Sequence, residues 1–260
     1  MSRVEVVRSK SGGDYMLNRF FVAATLALLV GCQATSSPEA TKQTWDRGYM
    51  HALHVAGNKF CGYYLDHEYT QVCMKNFSAE ARKRGRKFTV VVFLHGCLRF
   101  DGEYAAWLAD LGYITFSPDS FQREGRSPHC ATGVSKDLIH LMRQSEITYA
   151  REQLRKLDWV DQSRVFLVGK SEGGRAVADH TGAGSKAKVI LAYDCKKGLA
   201  SGSEPVLNLV GIIDWEWGNG LCRVSGRPNS FAFYVPERSH TFLEDEFASE
   251  KIKMFLGQFK

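Results

Sequence analysis

Arg164-Val165-Phe166-Leu167-Val168-Gly169-Lys170-Ser171-Glu172-Gly173-Gly174 is the segment best equipped for chemistry, an apolar run that enters Gly-x-Ser-x-Gly and then a helical pattern. A strand that turns sharply into a helix at a serine lifts the hydroxyl above the sheet edge. The flanking glycines are needed because a Cβ there collides with neighbouring elements. Ser171 is therefore the candidate nucleophile, with the amino end of the following helix favouring a developing oxyanion. Such a serine needs a base and an orienting acid, expected in the order serine, acid, histidine. Of the histidines after Ser171, His180 falls nine residues on within the elbow helix and points away, whereas His240 sits just past the last strand. His240 is the expected base. Asp214, beyond the strand at 206–210, is the expected acid, with Asp194 at the end of the preceding strand as its rival. Glu216 and the acidic Glu244-Asp245-Glu246 read as solvated.

The oxyanion donors are expected to be the backbone amide of Glu172 and that of Cys97 or Leu98, in the loop Leu94-His95-Gly96-Cys97-Leu98 after an early strand. His95 reads as a buried, hydrogen-bonded residue shaping this loop. Cys97 is not at an elbow, so it reads as a disulfide or packing residue rather than the nucleophile. Trp215, Trp217, Phe121 and Tyr193 are candidates for an acyl pocket. No metal or organic cofactor is implied, since no Cys-x-x-Cys exists and the histidines do not cluster with the thiols.

Short β-branched or aromatic runs at 90–94, 113–116, 164–168, 189–193, 206–210 and 231–235 are apolar on both faces, as in buried parallel strands. Helical patterns at 104–110, 134–157, 173–181 and 246–259 alternate with them. The alternation predicts an α/β class with a mostly parallel, doubly wound sheet and helices on both faces. Residues 45–260 form one domain. Within it, 45–80 is expected to be an antiparallel edge hairpin, with Cys61-Gly62-Tyr63-Tyr64 and Val72-Cys73-Met74 on its two sides.

The chain of 260 residues is 44% hydrophobic and 24% charged with six prolines, which excludes disorder, collagen and a polytopic membrane protein. Its charge of +6 is scattered except at Arg82-Lys83-Arg84-Gly85-Arg86-Lys87, read as a solvated turn before a strand. No nucleic-acid partner is expected.

Phe20 to Val30 is an uncharged apolar run behind Arg19, too short for the roughly 20 residues of a membrane span. It ends Gly31-Cys32, followed by polar residues. Residues 1–31 thus resemble a bacterial lipoprotein signal peptide, with Met16 the expected start, Cys32 acylated, and 32–44 a polar linker. Two or more acyl chains give stable anchoring. The implied location is the bacterial cell envelope, facing the periplasm or on the outer membrane. Of the seven cysteines, those other than Cys32 are an even set, which after an export signal favours disulfides. The nearest-neighbour pairing is Cys61 with Cys73, Cys97 with Cys130, and Cys195 with Cys222.

Together these blocks resemble the dienelactone hydrolase family of the α/β hydrolases. The carrying residues are Leu94-His95-Gly96-Cys97, Ser117-Pro118-Asp119-Ser120-Phe121 with Arg123-Glu124-Gly125-Arg126 and Cys130, the elbow at 169–174, Gly211-Ile212-Ile213-Asp214-Trp215 with Cys222, and Ser239-His240. The resemblance implies an α/β-hydrolase fold and cleavage of a small-molecule carboxylic ester through an acyl-enzyme. The founding members carry cysteine at the elbow, so Ser171 implies ordinary ester cleavage rather than opening of their lactone. Lys170 puts a cation near the site, and Trp215 stands where relatives carry a second acid. Poly(hydroxyalkanoate) depolymerase-like and feruloyl-esterase-like enzymes share the Leu-His-Gly-Cys loop and are an alternative within the fold. A non-catalytic envelope lipoprotein using the scaffold for binding is the alternative outside it.

Overall fold

A computed structural model describes residues 37–55, 58–60, 67–98, 100–124, 126, 129–130, 133–182, 184–214 and 220–259. Eight strands form one sheet in the order β2-β1-β4-β3-β5-β6-β7-β8. These are β1 (Tyr49–Val55), β2 (Asn58–Phe60), β3 (Phe88–Leu94), β4 (Ile114–Ser117), β5 (Val160–Lys170), β6 (Lys188–Leu191), β7 (Val206–Gly211) and β8 (Phe231–Val235). Strands β3 to β8 run parallel, while β1 is antiparallel to both β4 and β2. This order, with helical crossovers and a serine turn at the carboxyl end of β5, is an α/β-hydrolase fold.

Alternate residues of each central strand feed opposite core layers, as the period of two requires. On β3, Val90, Val92 and Leu94 face the layer built with α2 (His67–Lys83), α4 (Gly133–Arg155) and α5 (Glu172–Asp179). Val91 and Phe93 face the layer built with α3 (Gly102–Asp110) and α6 (Glu246–Gly257). Val165 and Leu167 divide from Phe166 and Val168 of β5 in the same way.

Three sequence expectations are corrected. Residues 38–44, expected in the linker, belong to α1 (Pro38–Asp46), because Ser37 caps it through Ala40 N–H, Pro38 opens the first turn, and Ala40, Thr41 and Thr44 are buried. Val72-Cys73-Met74 is helical rather than a hairpin side, since Cys73, Phe77 and Ala81 recur every four residues on the face of α2 that enters the core. The antiparallel edge hairpin is β1 and β2 instead. The strand expected over 189–193 stops at Leu191, where Ala192 at φ 51° turns the chain.

Cys97–Cys130 and Cys195–Cys222 are disulfides as expected. Cys73 is also a half-cystine, and its expected partner Cys61 lies outside the described residues, as do Cys32 and the signal segment 1–31. The basic run is tied locally: Arg82 pairs with Asp158 at 2.9 Å, Arg84 with Glu80 at 2.8 Å, and Arg86 lies over the Phe88 ring.

Candidate active site

Ser171 is the single residue between β5 and α5, with φ 56° and ψ −114°. Its N–H donates to Leu191 O on the neighbouring strand, and its own carbonyl accepts Arg175 N–H, the bond that starts the helix. The turn is possible because nothing projects from its flanks. A Cβ on Gly169 would lie 2.2 Å from Gly173 O, and one on Gly173 would lie 2.1 Å from Leu94 O. The amides of Glu172 and its two followers, at the start of α5, have no intrahelical acceptor and point toward the carboxyl edge of the sheet.

His240 and Asp214 come from the exits of β8 and β7. Ile213 N–H donates to Arg238 O, which stitches the two exits together. Gly211 makes that approach possible, since a Cβ there would stand 1.9 Å from Ser239 O. His240 Nδ1 lies 2.8 Å from Oδ2 of the buried Asp214. The carboxylate accepts, so the ring proton sits on Nδ1 and Nε2 is the basic nitrogen. Asp194, the rival acid, is engaged elsewhere: its Oδ1 accepts Lys196 N–H at 3.3 Å, and Lys196 Nζ stands 3.3 Å from Oδ2. His180 is buried at the end of α5, its Nδ1 2.8 Å from Gln144 Oε1, and burial pushes its pKa down to about 4.

The loop after β3 is held from beneath. His95 is fully buried, accepts Ser120 N–H on Nε2 at 3.0 Å and donates from Nδ1 to Gly96 O at 2.7 Å. Burial, and then the Arg143 guanidinium, keep it neutral, far below the ordinary histidine range. It shapes the loop, as its sequence position predicts. Gly96 N–H is taken by Asp101 Oδ2 at 2.8 Å, and Cys97 is tied by its disulfide, while Leu98 projects into solvent at 63% exposure. Lys170 is buried beside this loop, its Nζ 3.2 Å from Asp101 Oδ1. The Glu172 carboxylate pairs with Arg126 at 2.8 Å and lies 3.8 Å from Arg143. Arg143 and Arg123 in turn share Glu146, with all three side chains wholly buried. The sequence points to Lys170 but not to Asp101, whose partners Gly96 and Lys170 come from other elements, nor to Arg143 and Glu146, which pair one helical turn apart but also draw on His95, Glu172 and Arg123 from other segments.

Ser171 and Cys97 form the wall between two cavities. One, of about 250 Å³, is also lined by Leu98, Lys170, His240 and Thr241, so the serine and the imidazole face one cleft. The other, of about 100 Å³, is lined by Cys130, Lys136, His140, Glu172, Arg175 and Tyr193. Burial raises the Tyr193 phenol to about 12, and burial followed by Arg175 lowers His140. Of the expected acyl-pocket aromatics, Tyr193 lines this second cavity. Phe121 lies under Arg126 and against His95 instead. Trp215 and Trp217 are outside the described residues, as is Glu216.

No protein-family model matches the chain and no curated relative is found. Among solved structures it is similar to esterase PE8, at 14% identity and TM-score 0.47, covering 68% of this chain and 94% of that one. It is also similar to a dipeptidyl aminopeptidase IV-like protein of Bacteroides ovatus, at 16% identity and TM-score 0.46, covering 68% of this chain. The chain spans only 32% of that second protein's length.

Proposed function

We propose that the protein is a serine hydrolase that cleaves carboxylic esters through an acyl-enzyme, in the manner of the dienelactone hydrolase family that its motifs resemble. The carrying observation is the common cleft of Ser171 and His240, with His240 hydrogen-bonded to a buried carboxylate. Ser171 Oγ attacks the ester carbonyl while His240 Nε2 takes its proton. The tetrahedral oxyanion is held by the Glu172 amide and that of Cys97 or Leu98. Collapse breaks the bond to the alkoxide, which leaves with the proton returned by His240, and water then repeats the sequence on the acyl-serine. Asp214 keeps the Nδ1–H tautomer and stabilises the imidazolium. Cys97 is committed to a disulfide, which supports the serine rather than a thiol as nucleophile. Acylation at Cys32 and attachment to the cell envelope complete the reading.

The test is hydrolysis of p-nitrophenyl esters from acetate to decanoate by the full chain and by Ser171→Ala, with labelling by a fluorophosphonate. Turnover and label that vanish with Ser171 are expected. Neither turnover nor label in the wild type would overturn the reading in favour of a binding lipoprotein.

A further inference from the structure

We infer that Asp101 and Lys170 are a charge-neutral positioning pair that sets the oxyanion loop without adding net charge beside it. This rests on the hydrolase reading above. Gly96 N–H is spent on Asp101 Oδ2 at 2.8 Å, so it is not a donor to substrate, and the loop's offer falls to the amides that follow, of Cys97 or Leu98. The Gly96–Cys97 peptide is thereby held from two directions, by Asp101 on one side and by the bond to Cys130 on the other.

A carboxylate is an awkward anchor here. Asp101 is 3% exposed and lines the same cleft as Ser171, where a bare negative charge would oppose the oxyanion that the amides must stabilise. Lys170 answers that charge. It comes from the end of the very strand that presents Ser171, is itself 7% exposed, and puts Nζ 3.2 Å from Asp101 Oδ1. The ammonium also lies 4.8 Å from the centre of the Tyr104 ring, whose face favours a cation. Tyr104 Oη in turn accepts Phe242 N–H at 3.0 Å, two residues beyond His240. One connected set of contacts thus spans the oxyanion loop, the nucleophile strand and the base loop. The pair acts on substrate only through the amides of the loop it holds, so both members are positioning residues.

The experiment compares kcat and KM for a p-nitrophenyl ester, fluorophosphonate labelling rates and melting temperatures across the full-length wild type, Lys170→Met, Asp101→Asn/Lys170→Met and Asp101→Ala/Lys170→Met. Lys170→Met leaves the carboxylate uncompensated and is expected to lower kcat roughly 10-fold or more with KM within about twofold, less than the 10²–10³-fold typical of losing a donor outright. Asp101→Asn/Lys170→Met keeps an acceptor for Gly96 N–H without the charge and is expected to recover to within a few-fold of wild type. Asp101→Ala/Lys170→Met, matched in charge but lacking the acceptor, is expected to stay at least about 10-fold down at a comparable melting temperature. The two double variants decide the matter even if Lys170→Met alone fails to fold. Equal kcat in the two double variants, or wild-type kcat in a folded Lys170→Met, overturns the inference. A wild type that neither labels nor turns over overturns the hydrolase reading, and this inference with it.

Discussion

The His240 imidazole reaches Asp214 across the exits of two adjacent parallel strands, Nδ1 to Oδ2 at 2.8 Å, while the rival carboxylate, Asp194, is turned toward Lys196. Replacing Asp214 by Asn keeps the shape but presents an amide that favours the wrong tautomer. For the proposed hydrolase kcat is expected to fall about 10⁴-fold. Asp194→Asn is expected to stay near wild type. Steady-state kinetics on the two variants check this, and the reverse pattern would exchange the roles of the two acids.

Gly211 lets the loop carrying His240 lie against the end of β7. A methyl group at this position would stand 1.9 Å from one backbone oxygen and 2.4 Å from another, neither on a flexible side chain, so the loop itself must retreat. An ångström of retreat at the base is worth roughly 10² in rate. Gly211→Ala is therefore expected to lose activity out of proportion to stability, read as kcat against melting temperature.

The two described disulfides close spans of 33 and 27 residues, and loop-closure entropy assigns each about 3–4 kcal/mol. Their removal should cost similar stability in chemical denaturation. Their effects on turnover should differ, because Cys97 lies in the proposed oxyanion loop whereas Cys195 and Cys222 join the exit of β6 to the segment after β7. Cys97→Ala/Cys130→Ala is expected to lower kcat, and Cys195→Ala/Cys222→Ala to leave it close to wild type at temperatures where both remain folded.

His180 has a folded-state pKa near 4 against 6.5 for an ordinary histidine, chiefly through burial. The unfolded chain therefore takes up this proton first as pH falls. The stability associated with the neutral ring is present above about pH 6.5 and is lost progressively toward pH 4, at about 1.4 kcal/mol per pH unit for one proton. His180→Asn retains a donor for Gln144 Oε1 and does not titrate. Denaturation free energies between pH 7 and 4.5 are expected to fall less steeply in this variant than in the wild type.

Much of the scaffold is legible in the chain because its signals are local. Val90 to Leu94 and Val165 to Val168 are apolar at every position, as strands buried on both faces must be, and the bare glycines at 169 and 173 mark the turn. The disulfides at 97–130 and 195–222 follow nearest-neighbour order. The first helix was equally signalled, by Ser37 followed by Pro38 and Glu39, but its polar composition reads as a linker until Thr41 and Thr44 are seen buried. Polar pairings are another matter. Asp101 with Lys170 and Arg126 with Glu172 join residues far apart in the chain, and only the sheet order brings them together. No spacing rule anticipates a contact that depends on which strands are neighbours.

The backbone at Ser171 is one that residues with a side chain rarely adopt, and it carries a cost of roughly 1–3 kcal/mol. Glycine adopts it without that strain and gives back only about 0.5–1 kcal/mol through its freer unfolded state. Ser171→Gly should therefore melt above the wild type while losing all turnover, a difference that differential scanning calorimetry can register. Durability and reactivity are opposed at this one position, so selection for thermal robustness alone would be expected to erase the hydroxyl.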